Sequence, residues 1–240
     1  MEFFLSFLFA TSGLISYHVS FVEEEQSSQQ ENIVKIGDYV DLGLSVKWAN
    51  MNVGATYPEE YGDYFAWAEI NSKSKYDWST HKYCNGSFDK QTKYCNGSFW
   101  GKVDNKCVLD IQDDVAHVIW GANWRMPTNE EFQELIDNCL WIWYGEGNSE
   151  FKGVAGFKVQ SQKNGFTDKY IFLPANGYRS NEDLKSVGKY GNYWSSSLDI
   201  TGSMRAFALD FEYDSIIDRA HYKMNGVNRC YGRSVRPVCK

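Results

Sequence analysis

One segment of this chain carries a complete helix signature, and almost nothing else does. In "NWRMPTNEEFQELIDNC", Asn123 to Cys139, Thr128 stands three residues before Glu131. That is a capping box: the threonine hydroxyl accepts from an orphan backbone N–H, and the glutamate reaches back to the cap residue. Pro127 blocks extension upstream. Phe132, Leu135, Ile136, Cys139 and Leu140 recur at helical spacing and give the segment one apolar face. Glu130, Glu131 and Glu134 have the look of paired catalytic carboxylates, but the cap, the helix dipole and solvent account for all three. No acid/base chemistry is assigned to this helix.

Elsewhere the apolar runs are short and broken by Gly and Asn. "VDLGLSVKWANMNVG" alternates apolar and polar residues, as a half-buried strand does. "YIFLPANGYR" is a strand stopped by Pro174. "RAFALDFEYD" sets Phe207, Leu209, Phe211 and Tyr213 against Ala208, Asp210, Glu212 and Asp214, and "GRSVRPVCK" closes the chain. A chain with few helices and many short strands is α+β with a dominant antiparallel sheet.

Charge narrows the function classes. The 240 residues carry a net charge of −7 and no basic stripe to neutralise phosphates, so nucleic acid is excluded as a partner. Nine Trp, sixteen Tyr and fifteen Phe make up 17% of the chain. Such a load fills irregular β-rich cores and equips binding surfaces with rigid contact area; Trp48, Trp124 and Trp194 are assigned to the core. The six cysteines, Cys84, Cys95, Cys107, Cys139, Cys230 and Cys239, show no CxxC spacing and so no zinc site. In an exported protein they can form up to three disulfides; in a cytosolic one they are buried thiols.

The first 21 residues form an apolar leader of signal-peptide type, too short to span a bilayer comfortably, although no Lys or Arg precedes Lys35. A short buried helix is the alternative. Residues 22–36 form an acidic, polar linker that cannot bury enough apolar surface to order itself. The folded domain is expected over 37–240. Within it "KYCNGSF" occurs at Lys82–Phe88 and again at Lys93–Phe99, each copy with an Asn-Gly-Ser sequon at Asn85 or Asn96. Asn-Gly favours tight turns, so a doubled hairpin or loop is expected, with Cys84 and Cys95 as a candidate closing pair.

In order along the chain, "YVDLGLSVKWANMNVGA", "GDYFAWAE", "DDVAHVIWGANWRMPTNEEFQELIDNC", "IFLPANGYR", "GNYWSSS" and "GRSVRPVC" resemble the Fibrobacter succinogenes major paralogous domain family. The resemblance covers roughly Asp38 to Lys240. It implies a C-type-lectin-like fold of the formylglycine-generating-enzyme-related branch, with small twisted antiparallel sheets, one or two helices and long loops. It also implies a secreted or surface-displayed protein of the Bacteroidetes, since family members abound there.

Fold does not give function. The expectation is non-catalytic binding of a glycan or surface-protein ligand by C-terminal loops, between "YWSSS" and "GRSVRPV". "YDSIIDRAHYKMNGVNRCY" is crowded with Tyr, Asn, Asp, Ser, His and Arg, a paratope-like mixture of rigid anchors and adaptable polar groups. It also fits codons derived from AAY, the mark left by diversity-generating retroelements in some relatives of this fold. The candidate ligand-facing residues are Tyr213, Asp214, Asp218, His221, Tyr222, Asn225 and Asn228. No metal or other cofactor is assigned: the Glu-Pro-Asn or Gln-Pro-Asp and Trp-Asn-Asp motifs of calcium-dependent lectins are missing. Asp210, Glu212 and Asp214 are expected to mark a solvated strand face.

An enzyme is not expected either. There is no Gly-x-Ser-x-Gly, His-Glu-x-x-His or phosphate loop. The setting of Cys230 and Cys239 does not match the paired-cysteine copper site of formylglycine-generating enzyme, so a structural disulfide is the reading for them, with Cys139 as an alternative partner for either one. The alternative function is a structural or adhesin subunit that holds a partner protein.

Overall fold

The computed structural model describes residues 38–240 other than Ala122, Ser215 and Asp218. The apolar leader, the linker and the candidate Asp218 lie outside the described residues. Strands β1 (Tyr39–Val40) and β2 (Lys47–Ala49) come first. After a long stretch of turns, a 3-10 turn (Ile111–Asp113) leads into helices α1 (Val115–Trp120) and α2 (Asn129–Asn138). Next come β3 (Cys139–Tyr144), β4 (Gly156–Ser161), β5 (Tyr170–Pro174), β6 (Tyr178–Ser180) and β7 (Asp183–Lys185). The last strands are β8 (Tyr190–Leu198), β9 (Arg205–Asp214), β10 (Arg219–Asn228) and β11 (Val238–Cys239). They pair antiparallel as β1-β2-β11, β3-β4-β5, β10-β9-β8 and β6-β7. This is an α+β architecture, mostly small antiparallel sheets with few helices. Trp48 pairs with Val40 on one side and Val238 on the other, so the two ends of the domain flank β2.

The α2 cap forms as the sequence requires. The Thr128 hydroxyl accepts from the Glu131 N–H at 3.2 Å, and a Glu131 carboxylate oxygen accepts from the Thr128 N–H at 2.8 Å. The same carboxylate takes Arg125 Nη1 at 2.7 Å, which fixes the segment that leads into the helix. Glu134 accepts from the Ser45 N–H at 3.1 Å, and Glu130 is exposed. All three acids are structural or solvated.

The β8–β9–β10 sheet separates two cores. Side chains alternate along a strand, so Leu209 and Phe211 of β9 enter one core with Trp48, Phe132, Leu135, Trp141, Phe157 and Tyr193. Ala206 and Ala208 enter the other, with Trp67, Tyr94, Met126, Trp194 and Val235. Neighbours Tyr193 and Trp194 on β8 therefore face opposite cores. Gly191 pairs with Phe211 across the sheet, and the phenyl ring lies where a Cβ at Gly191 would be.

From Asn50 to Asp110 the chain holds its shape with buried polar links in place of strands. Arg236 is fully buried: Nε donates to Asn52 Oδ1 at 2.8 Å, Nη1 to the Ala49 carbonyl at 3.1 Å, and Nη2 to the Phe172 carbonyl at 2.8 Å. Arg229 donates to the Tyr94, Ser203 and Lys93 carbonyls and lies 4.9 Å from the Trp67 ring. Burial without a carboxylate partner pulls both guanidiniums down to about 10.

The "KYCNGSF" repeat is not a doubled hairpin. Its two Lys-Tyr pairs converge on one buried carboxylate, Asp113. Lys82 Nζ and Tyr83 OH donate to Oδ1 at 3.0 and 2.6 Å, Lys93 Nζ and Tyr94 OH to Oδ2 at 2.6 and 2.7 Å. The copies then diverge. Asn85 is exposed in a left-handed turn (φ 41°), while Asn96 is tied to Ser203 and donates to the Ile200 carbonyl at 2.6 Å. A second departure lies in "VDLGLSVKWANMNVG", where only Lys47–Ala49 and the preceding Tyr39–Val40 are strand. Gly43 (φ 70°) turns the chain between them, with its N–H held by Asp41 at 2.8 Å.

Gly191→Ala drives a methyl into Phe211 and should lower stability by about 1–3 kcal/mol in denaturant unfolding; an unchanged midpoint would contradict the packing. Burial alone would raise Asp113, but its bonds to Lys93, Tyr83, Tyr94 and Lys82 hold it down at about 2. Its stabilisation is therefore complete above the ordinary carboxylate value of about 4 and is lost as pH falls towards about 2. Asp113→Asn should cost about 1–3 kcal/mol at neutral pH, by removing the carboxylate that gathers Lys82, Tyr83, Lys93 and Tyr94 and leaving Lys93 with Asp110 alone, and should flatten the acid limb of the stability–pH curve.

Candidate functional site

Along the even-numbered face of β9 the residues change from Ala206 and Ala208 to Asp210, Glu212 and Asp214. The change marks where the second core stops covering the sheet. Beyond Ala208 the face opens into a groove of about 570 Å³. Strand register arranges its floor in rows: Tyr190, Glu212 and His221 stand abreast, then Asn192, Asp210 and Lys223. The Arg179–Gly232 bridge brings Tyr178 of β6 beside Tyr231, their rings 5.8 Å apart, and both line the groove.

The floor is organised by Arg233, which is almost fully buried. It donates to Asn192 Oδ1 at 2.6 Å and forms an ion pair with Asp210, and its guanidinium lies 5.2 Å from the Trp194 ring. Asp210 also accepts from Asn225 Nδ2 at 3.3 Å. Glu212 is bonded by the Tyr190 hydroxyl; that hydrogen bond, and burial after it, hold the phenol above its ordinary value. Both groove carboxylates thus have donors within the protein. By contrast, Arg219, His221 and Lys223 stand exposed along β10, and no hydrogen bond or ion pair engages their side chains among the described residues.

The candidate residues divide between the two faces of this sheet. His221 and Asn225 face the groove. Tyr222 borders it, but its ring stacks on Trp141 on the opposite face at 4.6 Å, and Tyr213 stacks on Trp143 at 5.3 Å. These two tyrosines pack the sheet onto β3. Asp214 Oδ1 accepts from the Ile216 N–H at 2.9 Å and shapes the β9–β10 turn. Asn228 ends β10 opposite Arg205, away from the groove. The segment expected to form loops is mainly a long hairpin, because its alternation continues through "RAHYKM" with Ala220, Tyr222 and Met224 packed on the first core. Sequence reasoning missed Tyr178, Tyr190, Tyr231 and Arg233 as groove residues. The only local signal was the Ala-to-Asp change on β9.

The remaining reactive residues are held in structural settings. All six cysteines are free thiols, so the expected disulfides are not formed. Cys84 Sγ lies 3.1 Å from His81 Nδ1 and bonds Gln91 at 3.2 Å; Cys95 bonds the Gly97 carbonyl at 3.3 Å, and Cys139 packs in the first core. Burial pushes Cys84 up to about 11, and Cys139 and Cys230 to about 12, well away from thiolate chemistry. The hydroxyls of Ser195 and Ser196 donate to the Phe207 and Pro127 carbonyls, and that of Ser197 accepts from the Asn129 N–H. Among the described residues no group of three or more His, Cys, Asp or Glu is placed to hold a metal ion, and no helix is long and apolar enough to cross a membrane.

No protein-family model, curated protein or solved structure matches this chain. The thiol arrangement predicts that a thiol reagent modifies Cys107 in the native protein, while the five buried cysteines react only after unfolding. Fewer than six reactive thiols in the unfolded, unreduced protein would reveal a disulfide and contradict the arrangement.

Proposed function

We propose that this chain is a non-catalytic ligand-binding domain and that the groove on the β8–β9–β10 face takes an oligosaccharide. The observation that carries this reading is the groove's make-up: the rings of Tyr178, Tyr190 and Tyr231 together with Asn192, Asp210, Glu212, His221 and Asn225 on a sheet packed from behind. Pyranose rings present apolar C–H faces to aromatic rings and hydroxyls to polar side chains, and such a mixed surface meets both needs. Its volume lies within the roughly 300–1,000 Å³ of small-ligand sites, where a flat protein interface would leave no such concavity. A C-type-lectin-like fold, membership of the Fibrobacter succinogenes major paralogous domain family and display at a bacterial surface belong to the same proposal. They rest on the ordered motifs from "YVDLGLSVKWANMNVGA" to "GRSVRPVC".

A structural or adhesin role is the second reading, and one feature favours it. The β9–β10 turn projects Ile216, 93% exposed, and Ile217, and β10 is the outer strand of its sheet. Exposed Arg219, His221 and Lys223 along that strand work against strand-on-strand pairing.

The test is a panel of oligosaccharides and surface proteins against the full chain. Tyr178→Ala and Tyr231→Ala should each weaken saccharide binding roughly tenfold or more. Tyr57→Ala, outside the groove, should leave it intact, and chelation should have no effect. Binding insensitive to both groove substitutions would move the site elsewhere. A protein hit lost on Ile216→Ser would favour the adhesin reading.

A further inference from the structure

We infer that the groove selects an anionic oligosaccharide, bearing carboxylate or sulfate, over a neutral one. This deepens the proposed saccharide reading and rests on it. The groove's hydrogen-bonding groups are unevenly engaged. Its two carboxylates are already engaged within the protein, Asp210 by Arg233 and Asn225, Glu212 by Tyr190. Arg219, His221 and Lys223 have no partner among the described residues, and alternation along β10 sets all three on one face, beside the groove. The unmet capacity is therefore for acceptors, and two of the three groups carry full positive charge.

The local balance points the same way. Among the groove's lining residues Arg233 is offset by Asp210, which leaves Arg219 and Lys223 against Glu212, with Asp214 opposite Arg219 just outside the lining, in a chain that as a whole carries −7. A positive patch on an acidic protein steers anions to one place and repels them elsewhere. Arg233 is held rigidly by Asn192 and by its ion pair with Asp210, so it orders the floor and leaves Arg219 and Lys223 as the cations open to a ligand. Arg219 and Lys223 project from the strand that forms the outer edge of the sheet, where they would meet acidic substituents.

Three probes built from galactose-type sugars test this: oligogalacturonate, carboxylated; carrageenan oligosaccharide, sulfated; and neutral galacto-oligosaccharide. Binding is measured by calorimetry for the wild type, Arg219→Gln, Lys223→Gln and the double variant, with circular dichroism to confirm folding. The inference predicts that at least one anionic probe binds about tenfold or more tighter than the neutral one. That preference should shrink as salt is raised and the Debye length falls below about 8 Å. It should be largely lost in the double variant and regained in Lys223→Arg on the Arg219 background. The anionic probe that binds identifies the substituent. Equal binding of all three, indifferent to salt, would overturn the charge preference and leave the saccharide reading standing. Binding of none would remove the saccharide reading, and this inference with it.

Discussion

Strand β9 is the element on which the rest depends, because both of its faces are buried over half its length and only one over the other half. Leu209 and Phe211 face the core that contains α2 and the β3–β4–β5 sheet; Ala206 and Ala208 face the core that holds the long loops. Each large side chain fully buried this way is worth about 1.5–3 kcal/mol, while the two alanines are small enough to let Trp194 and Trp67 close over them. Where the alanines give way to Asp210 and Glu212, cover is withdrawn and a groove remains. The groove is therefore a consequence of how the second core ends, with a floor as rigid as the sheet that makes it.

The loops are fixed by a different kind of force. Between Asn50 and Asp110 there is little regular structure, and three buried groups tie the segment down: Arg229 through the Lys93 and Tyr94 carbonyls, Arg236 through the Asn52 side chain, and Asp113 through the Lys and Tyr side chains of the repeat. Each collects groups from distant parts of the chain, so each enforces a particular arrangement. Such links add less stability than an apolar core of equal volume would, since the charges must be desolvated. Removing one partner is costly for the same reason. Arg233 extends this strategy into the groove, where its ion pair with Asp210 orders the floor.

Legibility in the sequence follows locality. The α2 cap was plain because Thr128 and Glu131 lie three residues apart and need nothing else. The alternation in "RAFALDFEYD" separates Leu209 and Phe211 from the acids, and those two enter a core. The extension of that strand pattern through β10 was obscured by polar letters, since Arg219, His221 and Lys223 occupy the solvent side of a strand whose other side is Ala220, Tyr222 and Met224. Composition makes Tyr213 and Tyr222 look like ligand contacts because it cannot tell which way a ring points; their partners, Trp143 and Trp141, lie far off in sequence. The convergence of two repeats on Asp113, and of Tyr178 and Tyr231 on one groove, depends on long-range pairing that no window of sequence contains. Asp210 and Glu212 lie on a partly exposed strand face, as their alternation implies, and that face is the floor of the groove.

The central claim is that recognition takes place on the even face of β9. Mapping backbone amide shifts by NMR, during titration with the tightest oligosaccharide found, tests it without altering the protein. The account predicts that the perturbed amides cluster at Tyr178, Tyr190, Asn192, Glu212, His221 and Tyr231. A cluster at the separate cavity lined by Tyr57, Glu60, Tyr61 and Lys152 would contradict it.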